Sequence, residues 1–233
     1  MEPISKVNLE RITNGIYAFT MTLLVRNIQS PQQTAVLSDA AIDTYIGTTL
    51  LSIVDFIGAF LILGMFWLFY FQMFHRIRSV DFRFVHLHLL SLMIVVFVPF
   101  TQSFADDRVG IPVSAVLFQF NYFALATLLL VQWHYAANNP ALIEPRTTGS
   151  EVDFLHKKFL VPLGVSLLGI VLVLIGMPYI DVLYLLPFVI LGIFFRNPPE
   201  KTGAENGEVD TASGAGDESA PAVQQEAVPE EEA

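Results

Sequence analysis

The chain has 233 residues, of which 54% are hydrophobic and 15% charged, and its formal net charge is −10. The hydrophobic fraction, with a mean hydropathy of +0.57, lies above the usual range of soluble domains and indicates an integral membrane protein in contact with a lipid bilayer. The chain has no cysteine, which excludes disulfides, Cys-based metal sites and thiol catalysis.

Six stretches of the sequence are apolar enough to enter a bilayer. A spanning helix needs about 20 mainly apolar residues, and the candidate spans lie near residues 9–28, 46–74, 84–104, 112–136, 158–176 and 180–195. The sixth stretch is short and contains Pro187. The sequence therefore predicts an all-α membrane protein with six transmembrane helices.

Lys and Arg in the short loops predict the orientation. The segment "HRIRSVDFR" joins the second and third helices, and "EPRTTGSEVDFLHKK" joins the fourth and fifth; together they hold six of the twelve Lys and Arg. The loops on the opposite side, "QSPQQTAVLSDAAIDTY" and "FADDRVGIP", have one Arg. By the positive-inside rule, both termini should be cytoplasmic and the protein should cross the cell membrane several times.

The acidity belongs to the last segment of the chain. Residues 197–233 hold ten Asp or Glu and one Lys, a net −9, which leaves a net −1 on residues 1–196. This segment is rich in Ala, Gly, Ser, Pro and Glu, so it cannot bury enough apolar surface to offset the entropy of ordering. We therefore expect a membrane domain at residues 1–196 and a disordered acidic tail at residues 197–233.

No constellation typical of an enzyme is present. The five His residues show no metal-ligand spacing, and no Gly-rich phosphate loop follows a strand. We expect no catalytic residues, metal site, cofactor or nucleic-acid partner. The absence of paired acids inside the predicted spans also disfavours a proton-coupled transporter or a membrane enzyme.

The first predicted helix carries an unusual number of polar side chains. Residues spaced by three, four and seven share one face of a helix, and five residues do so here: Gly15, Phe19, Thr22, Leu23 and Arg26. A helix packed inside a bundle is one reading of this face, because small and hydroxyl residues serve helix contacts. A helix that lines a water-filled path is the other.

Two blocks of sequence resemble the lysosomal and prokaryotic six-helix potassium channel family. "LERITNGIYAFTMTLLV" is similar to the family's first helix, which opens with Arg-x-x-x-Phe-Ser-Asp; Ile12, Thr13 and Asn14 stand where the family has Phe, Ser and Asp. "DFRFVHLHLLSLMIVVFVPFTQSF" is similar to its third helix, with His88 in place of an Asn, and "FIGAFLILGMFW" resembles its second helix, including Trp67.

The resemblance implies a homotetramer that conducts potassium ions through a central pore lined by the first helices. It further implies that Phe19 and Leu23 occupy constriction positions and that Thr22 places a hydroxyl beside them. A narrow apolar ring opposes a hydrated ion and can gate by dewetting. We therefore expect a cation channel that is selective for potassium, or for potassium together with protons.

Three of the departures from the family change a charge. Asn8 stands at the position of the motif Arg, although Arg11 follows one helical turn later, and Asn14 cannot carry the charge of the Asp that it replaces. Arg26 stands where an apolar residue is usual, and we predict that Asp55 on the second helix pairs with it. The alternative is that Arg26 reaches the headgroups while Asp55 is neutral or bonded to Ser52.

These departures keep a second function open. A non-conducting membrane scaffold or assembly protein of the same fold would also have this sequence pattern, because four Phe19 rings could fill an axial path. The acidic tail could then recruit a basic partner.

Overall fold

The computed structural model describes residues 5–28, 39–106, 112–176 and 186–195. These residues form six α-helices and one 3₁₀ turn: α1 (Lys6–Leu24), the turn (Val25–Asn27), α2 (Asp39–Arg76), α3 (Phe82–Asp106), α4 (Pro112–Ala137), α5 (Gly149–Leu174) and α6 (Leu186–Phe194). They belong to one compact unit of the chain. The acidic segment 197–233 lies outside the described residues, so the predicted tail and its boundary stay predictions.

Four of the helices contain stretches long and apolar enough to cross a membrane. These stretches are Ser52–Arg76, Phe82–Phe104, Val116–Ala137 and Gly149–Leu174. The chain is therefore a multi-pass, all-α membrane protein, and the predicted second to fifth spans are confirmed as apolar helices. The described part of α6 has nine residues, about 14 Å of helix against a hydrocarbon core of about 30 Å.

Side-chain caps decide where several helices begin. The Ser5 hydroxyl accepts a hydrogen bond from the backbone N–H of Asn8 and opens α1. At α5, Thr148 and Glu151 form a capping box, in which each side chain accepts from the other residue's backbone N–H. The box places the start of α5 at Gly149, whereas hydropathy alone predicts a start near 158.

The bundle is arranged around α4, which packs against α3 on one side and α5 on the other. α1 packs against α2 and α3, and α6 packs against α5. Aromatic rings fill much of the interior; the Phe159 ring lies 5.3 Å from Phe69 and 5.9 Å from Trp133, measured between centroids. In the described part of the chain α1 packs mainly on α2 and α3, so its opposite side is left uncovered there.

The two Arg- and Lys-rich loops meet at one end of the bundle, which we call the basic end. Ile77 and Ile143 form an antiparallel bridge between the α2–α3 and α4–α5 loops. The Arg76 guanidinium donates to the Glu151 carboxylate across 2.8 Å, and that carboxylate is buried. The two loops therefore lie at the same end of the bundle, as the distribution of Lys and Arg predicted.

Candidate functional site

α1 has one side buried in the bundle and one side exposed. Its buried residues are Leu9, Thr13, Tyr17, Thr20 and Leu24. They recur every three or four residues and therefore form a single stripe against α2 and α3. The opposite side of α1 has no covering helix within the described part of this chain.

The exposed side of α1 holds four of the five residues that the spacing singled out. Gly15, Thr22 and Arg26 are exposed, and Phe19 is 61% exposed despite its aromatic ring. Leu23 is only half-exposed, because it lies on the flank of this side, next to the buried stripe. We call the residues Arg11, Gly15, Phe19, Thr22 and Arg26 the exposed row.

The exposed row alternates in size and polarity along the helix. A Cβ added to Gly15 would meet no atom within 4 Å, so the space beside it is open. The Thr22 hydroxyl donates to the Phe19 carbonyl at 2.7 Å, which leaves its oxygen lone pairs turned outward. The exposed row therefore places the bulky apolar ring of Phe19 between the open space at Gly15 and the hydroxyl of Thr22.

The motif residues at the start of α1 divide between the two sides. Asn8, Arg11 and Ile12 are exposed, and Thr13 is buried. Asn14 is exposed as a residue, yet its Oδ1 accepts a hydrogen bond from Trp67 Nε1 at 2.8 Å. The pairing of Asn14 with Trp67 joins α1 to α2 near the basic end.

A buried polar network, which we name the inner network, begins at Thr13. Thr13 Oγ1 lies 2.7 Å from His88 Nε2, and His88 Nδ1 lies 2.9 Å from Gln132 Oε1. Gln132 Nε2 contacts Ser91 Oγ at 2.7 Å and Tyr70 Oη at 3.1 Å, and Tyr70 donates to Ser91 at 2.8 Å. The network therefore connects α1, α2, α3 and α4.

The sequence singled out Thr13 and His88 as positions of the family resemblance, but it predicted neither the bond between them nor the part of Gln132, Tyr70 and Ser91. Each of the three is a polar residue inside an apolar span, where an unpaired hydrogen-bonding group is costly. That property was a usable signal, although the partner of each residue could not be read from the chain.

The end of α1 opposite the basic end is tied to α3. Asn27 Nδ2 donates to the Pro99 carbonyl at 3.0 Å. Arg26 is exposed, and Asp55 is half-buried in α2 and has an interaction of its own. The predicted Arg26–Asp55 ion pair is not among the described ion pairs, which join Lys6 to Glu10 and Arg76 to Glu151, and it stays a prediction.

A cavity of about 270 Å³ opens between α1 and α2 near the basic end. Its lining is mixed: Lys6, Glu10, Thr13, Asn14, Trp67, Phe71, Phe74 and His75. The Lys6 and Glu10 side chains form an ion pair at 3.5 Å. In the described part of the chain, no three His, Asp or Glu residues form a group that could hold a metal ion.

The fold and α1 together define a class of protein, the helical multi-pass membrane proteins. In this chain one side of α1 carries both polar and apolar residues and is exposed, and its other side joins a buried hydrogen-bond network. Residues 8–99 match the family model described as the endosomal/lysosomal potassium channel TMEM175. This segment contains most of α1, the whole of α2 and most of α3. Over these residues the chain is similar to the TMEM175 family, whose description is that of a potassium channel.

Two relatives and one solved structure are also similar to this chain. A protein of Chamaesiphon minutus named as a potassium channel is 25% identical over 154 residues, which cover 65% of this chain and 75% of the relative. A protein of Streptomyces collinus named as a potassium channel is 25% identical over 143 residues, or 59% of this chain and 68% of the relative.

The fold is also similar to a crystal structure described as a lysosomal potassium-selective channel TMEM175 homolog from Chamaesiphon minutus. The two chains share 22% sequence identity with a TM-score of 0.68, over 79% of this chain and 95% of the other. At this identity the likeness establishes a common fold.

Proposed function

We propose that this chain is the subunit of a potassium-selective channel in which α1 lines the ion path. The observation that carries the proposal is the exposed row of α1, an uncovered helix side with a hydroxyl, a glycine and two Arg residues in an otherwise apolar protein. A purely lipid-facing helix would have little reason to hold these groups. The potassium channel names of both relatives support the same function.

The active form in this proposal is a homotetramer of subunits with six membrane-spanning helices each. Four copies of α1 surround the axis, and Phe19, Thr22 and Leu23 form the narrow part of the path. Phe19 and Leu23 supply an apolar constriction that gates by dewetting, and Thr22 supplies oxygen atoms beside it. Gly15 leaves a wider section on the side of the basic end.

Both termini and the basic end face the cytoplasm in this proposal, and the protein lies in the cell membrane. The support is the concentration of Arg and Lys in the two loops that meet at the basic end. With six crossings, the start of α1 lies on that same side.

Reversal potentials in planar bilayers test the proposal. Purified protein in asymmetric potassium and sodium should give a reversal potential near the potassium equilibrium value, and a parallel pH gradient measures the proposed proton permeation. Thr22→Val removes the hydroxyl and keeps the size, so it should change selectivity. Thr127→Val on α4 is a matched control, because the Thr127 hydroxyl likewise donates to a carbonyl of its own helix. Absence of potassium current or flux under every gradient, pH and voltage would refute the channel function.

The second candidate is a non-conducting scaffold of the same fold. The observation that favours it is the exposed row itself, because four Phe19 rings and four Arg26 charges on one path would oppose cations. A scaffold should lose a bound partner when residues 197–233 are removed. A channel should conduct with or without that segment.

A further inference from the structure

Gln132 lies at the centre of the inner network, in a position with no access to solvent or lipid. It is 0% exposed and projects from α4, which packs against α3 and α5. Its amide meets α3 at His88 and Ser91 and α2 at Tyr70. A side chain that reaches two other helices from a buried position can determine how those helices lie against each other.

The hydrogen-bond partners of Gln132 assign the orientation of its amide. Gln132 Nε2 lies 2.9 Å from the Leu128 carbonyl oxygen, which can only accept. The amide nitrogen must therefore face Leu128, since the reversed orientation would place two acceptor oxygens together. Oε1 is left facing His88 Nδ1 at 2.9 Å.

The orientation of the amide assigns the hydrogen on His88 in turn. Because Gln132 Oε1 can only accept, His88 Nδ1 carries the hydrogen and donates it. The ring and hydrogen-bond contacts of His88 in the described residues include no carboxylate, so we treat the imidazole as neutral, with Nε2 as an acceptor. Thr13 must then donate its hydroxyl hydrogen to Nε2.

The Thr13 hydroxyl has a competing acceptor on its own helix. Thr13 Oγ1 lies 2.7 Å from the Leu9 carbonyl and 2.7 Å from His88 Nε2, so one hydrogen faces two acceptors at equal distance. By holding the hydrogen on His88 Nδ1, Gln132 makes Thr13 the donor of the bond between α1 and α3, in competition with the Leu9 carbonyl. With the hydrogen on Nε2, Thr13 would instead accept from His88 and donate to Leu9.

We infer that Gln132 is a positioning residue for the pore helix, acting through His88 and Thr13 to determine which residues of α1 face the ion path. The effect on conduction rests on the proposed function, since a rotation of α1 changes conduction only if α1 lines the ion path. Gln132 itself touches neither α1 nor any residue of the exposed row by hydrogen bond in the described structure.

The absence of cysteine from the chain allows a direct test. Single Cys residues are introduced at Gly15, where the space is open, and at Ala18, which is exposed on the adjoining part of α1. Their rates of modification by a water-soluble thiol reagent are read by mass, and their ratio reports the rotation of α1. The ratio is measured alone and in combination with Gln132→Met.

Gln132→Met should change the ratio of the two rates by about threefold or more, the change that the net loss of one hydrogen bond produces in an equilibrium. Leu129→Ala is the control, because Leu129 is a buried apolar residue on the same helix and its truncation lowers stability without touching the network. The control should lower Tm and leave the ratio unchanged.

Thr13→Val provides a second variant for the case in which Gln132→Met does not fold. It removes the α1 hydroxyl and leaves the Gln132–His88 pair intact, and it should shift the ratio in the same direction. An unchanged ratio in the folded variants, or an equal change in Leu129→Ala, would overturn the inference.

The two failures are distinguishable. If thiol modification at Gly15→Cys and Ala18→Cys leaves potassium flux unchanged, the proposed pore lining fails, while the ratio still tests the role of Gln132. If modification blocks flux and Gln132→Met leaves the ratio unchanged, only the positioning role fails.

Discussion

The variant Phe19→Ala tests whether the Phe19 ring forms a pore constriction or a packed contact between helices. Phe19→Ala removes a ring that is 61% exposed in the subunit. Phe-to-Ala changes at fully buried sites cost about 3–5 kcal/mol. Because most of this ring makes no contact within the subunit, we expect a loss of about 1 kcal/mol in the free energy of unfolding.

The effect on conduction should be larger than the effect on stability. Four rings around one axis would form a narrow apolar ring, and their removal widens it and admits water. If the barrier to ion passage falls by about 1.4 kcal/mol, flux rises about tenfold. Selectivity for potassium over sodium should fall at the same time, because a wider path strips less water from each ion.

Liposome potassium flux and Tm of the purified protein are the two measurements. Phe120→Ala is a matched control, since Phe120 is a 58% exposed ring on α4, a helix that packs against α3 and α5. The control should change neither flux nor selectivity. A Phe19→Ala protein with unchanged flux and a Tm lowered by an amount typical of a core truncation would place the ring in a packed contact and refute the constriction.

Three further predictions concern charges. Arg26→Ala and Asp55→Ala should each destabilise the oligomer, and the double variant should cost clearly less than the sum if the two side chains pair; additive costs would rule the pair out. Arg76→Met should lower the free energy of unfolding by about 2 kcal/mol, because it leaves the buried Glu151 carboxylate without its cation; a loss under about 0.5 kcal/mol, measured by denaturation in detergent, would contradict this. Deletion of residues 197–233 should leave oligomer size and Tm nearly unchanged. A truncated protein that elutes as a monomer would show that the segment takes part in assembly.

Much of the fold followed from composition and spacing alone. Apolar runs of about 20 residues predict membrane helices, because every backbone N–H and C=O inside the bilayer must be hydrogen-bonded and a helix pairs them all within one segment. The 3.6-residue period grouped Phe19 and Thr22 on one face of α1, and the structure shows that this face is the exposed one. The start of α5 was predicted near residue 158, nine residues late, because hydropathy does not register the polar first turns that the Thr148–Glu151 capping box begins.

The flank of a helix was harder to predict than its centre. Leu23 shares the helical spacing of the exposed row, yet it lies half-covered beside the buried stripe. The period defines a direction around the helix, whereas the width of the covered sector depends on how closely α2 and α3 approach. That width is a property of the packed bundle and is not contained in the α1 sequence.

The inner network depended on tertiary structure alone. Gln132 lies 44 residues from His88 and 62 from Tyr70, and His88 lies 75 from Thr13. A hydrogen bond requires two atoms within about 3 Å at a favourable angle, and no local pattern specifies which distant helices will meet at that distance. The sequence determined that polar groups inside apolar helices had to find partners; only the packing of α1, α2, α3 and α4 decided which partners they found.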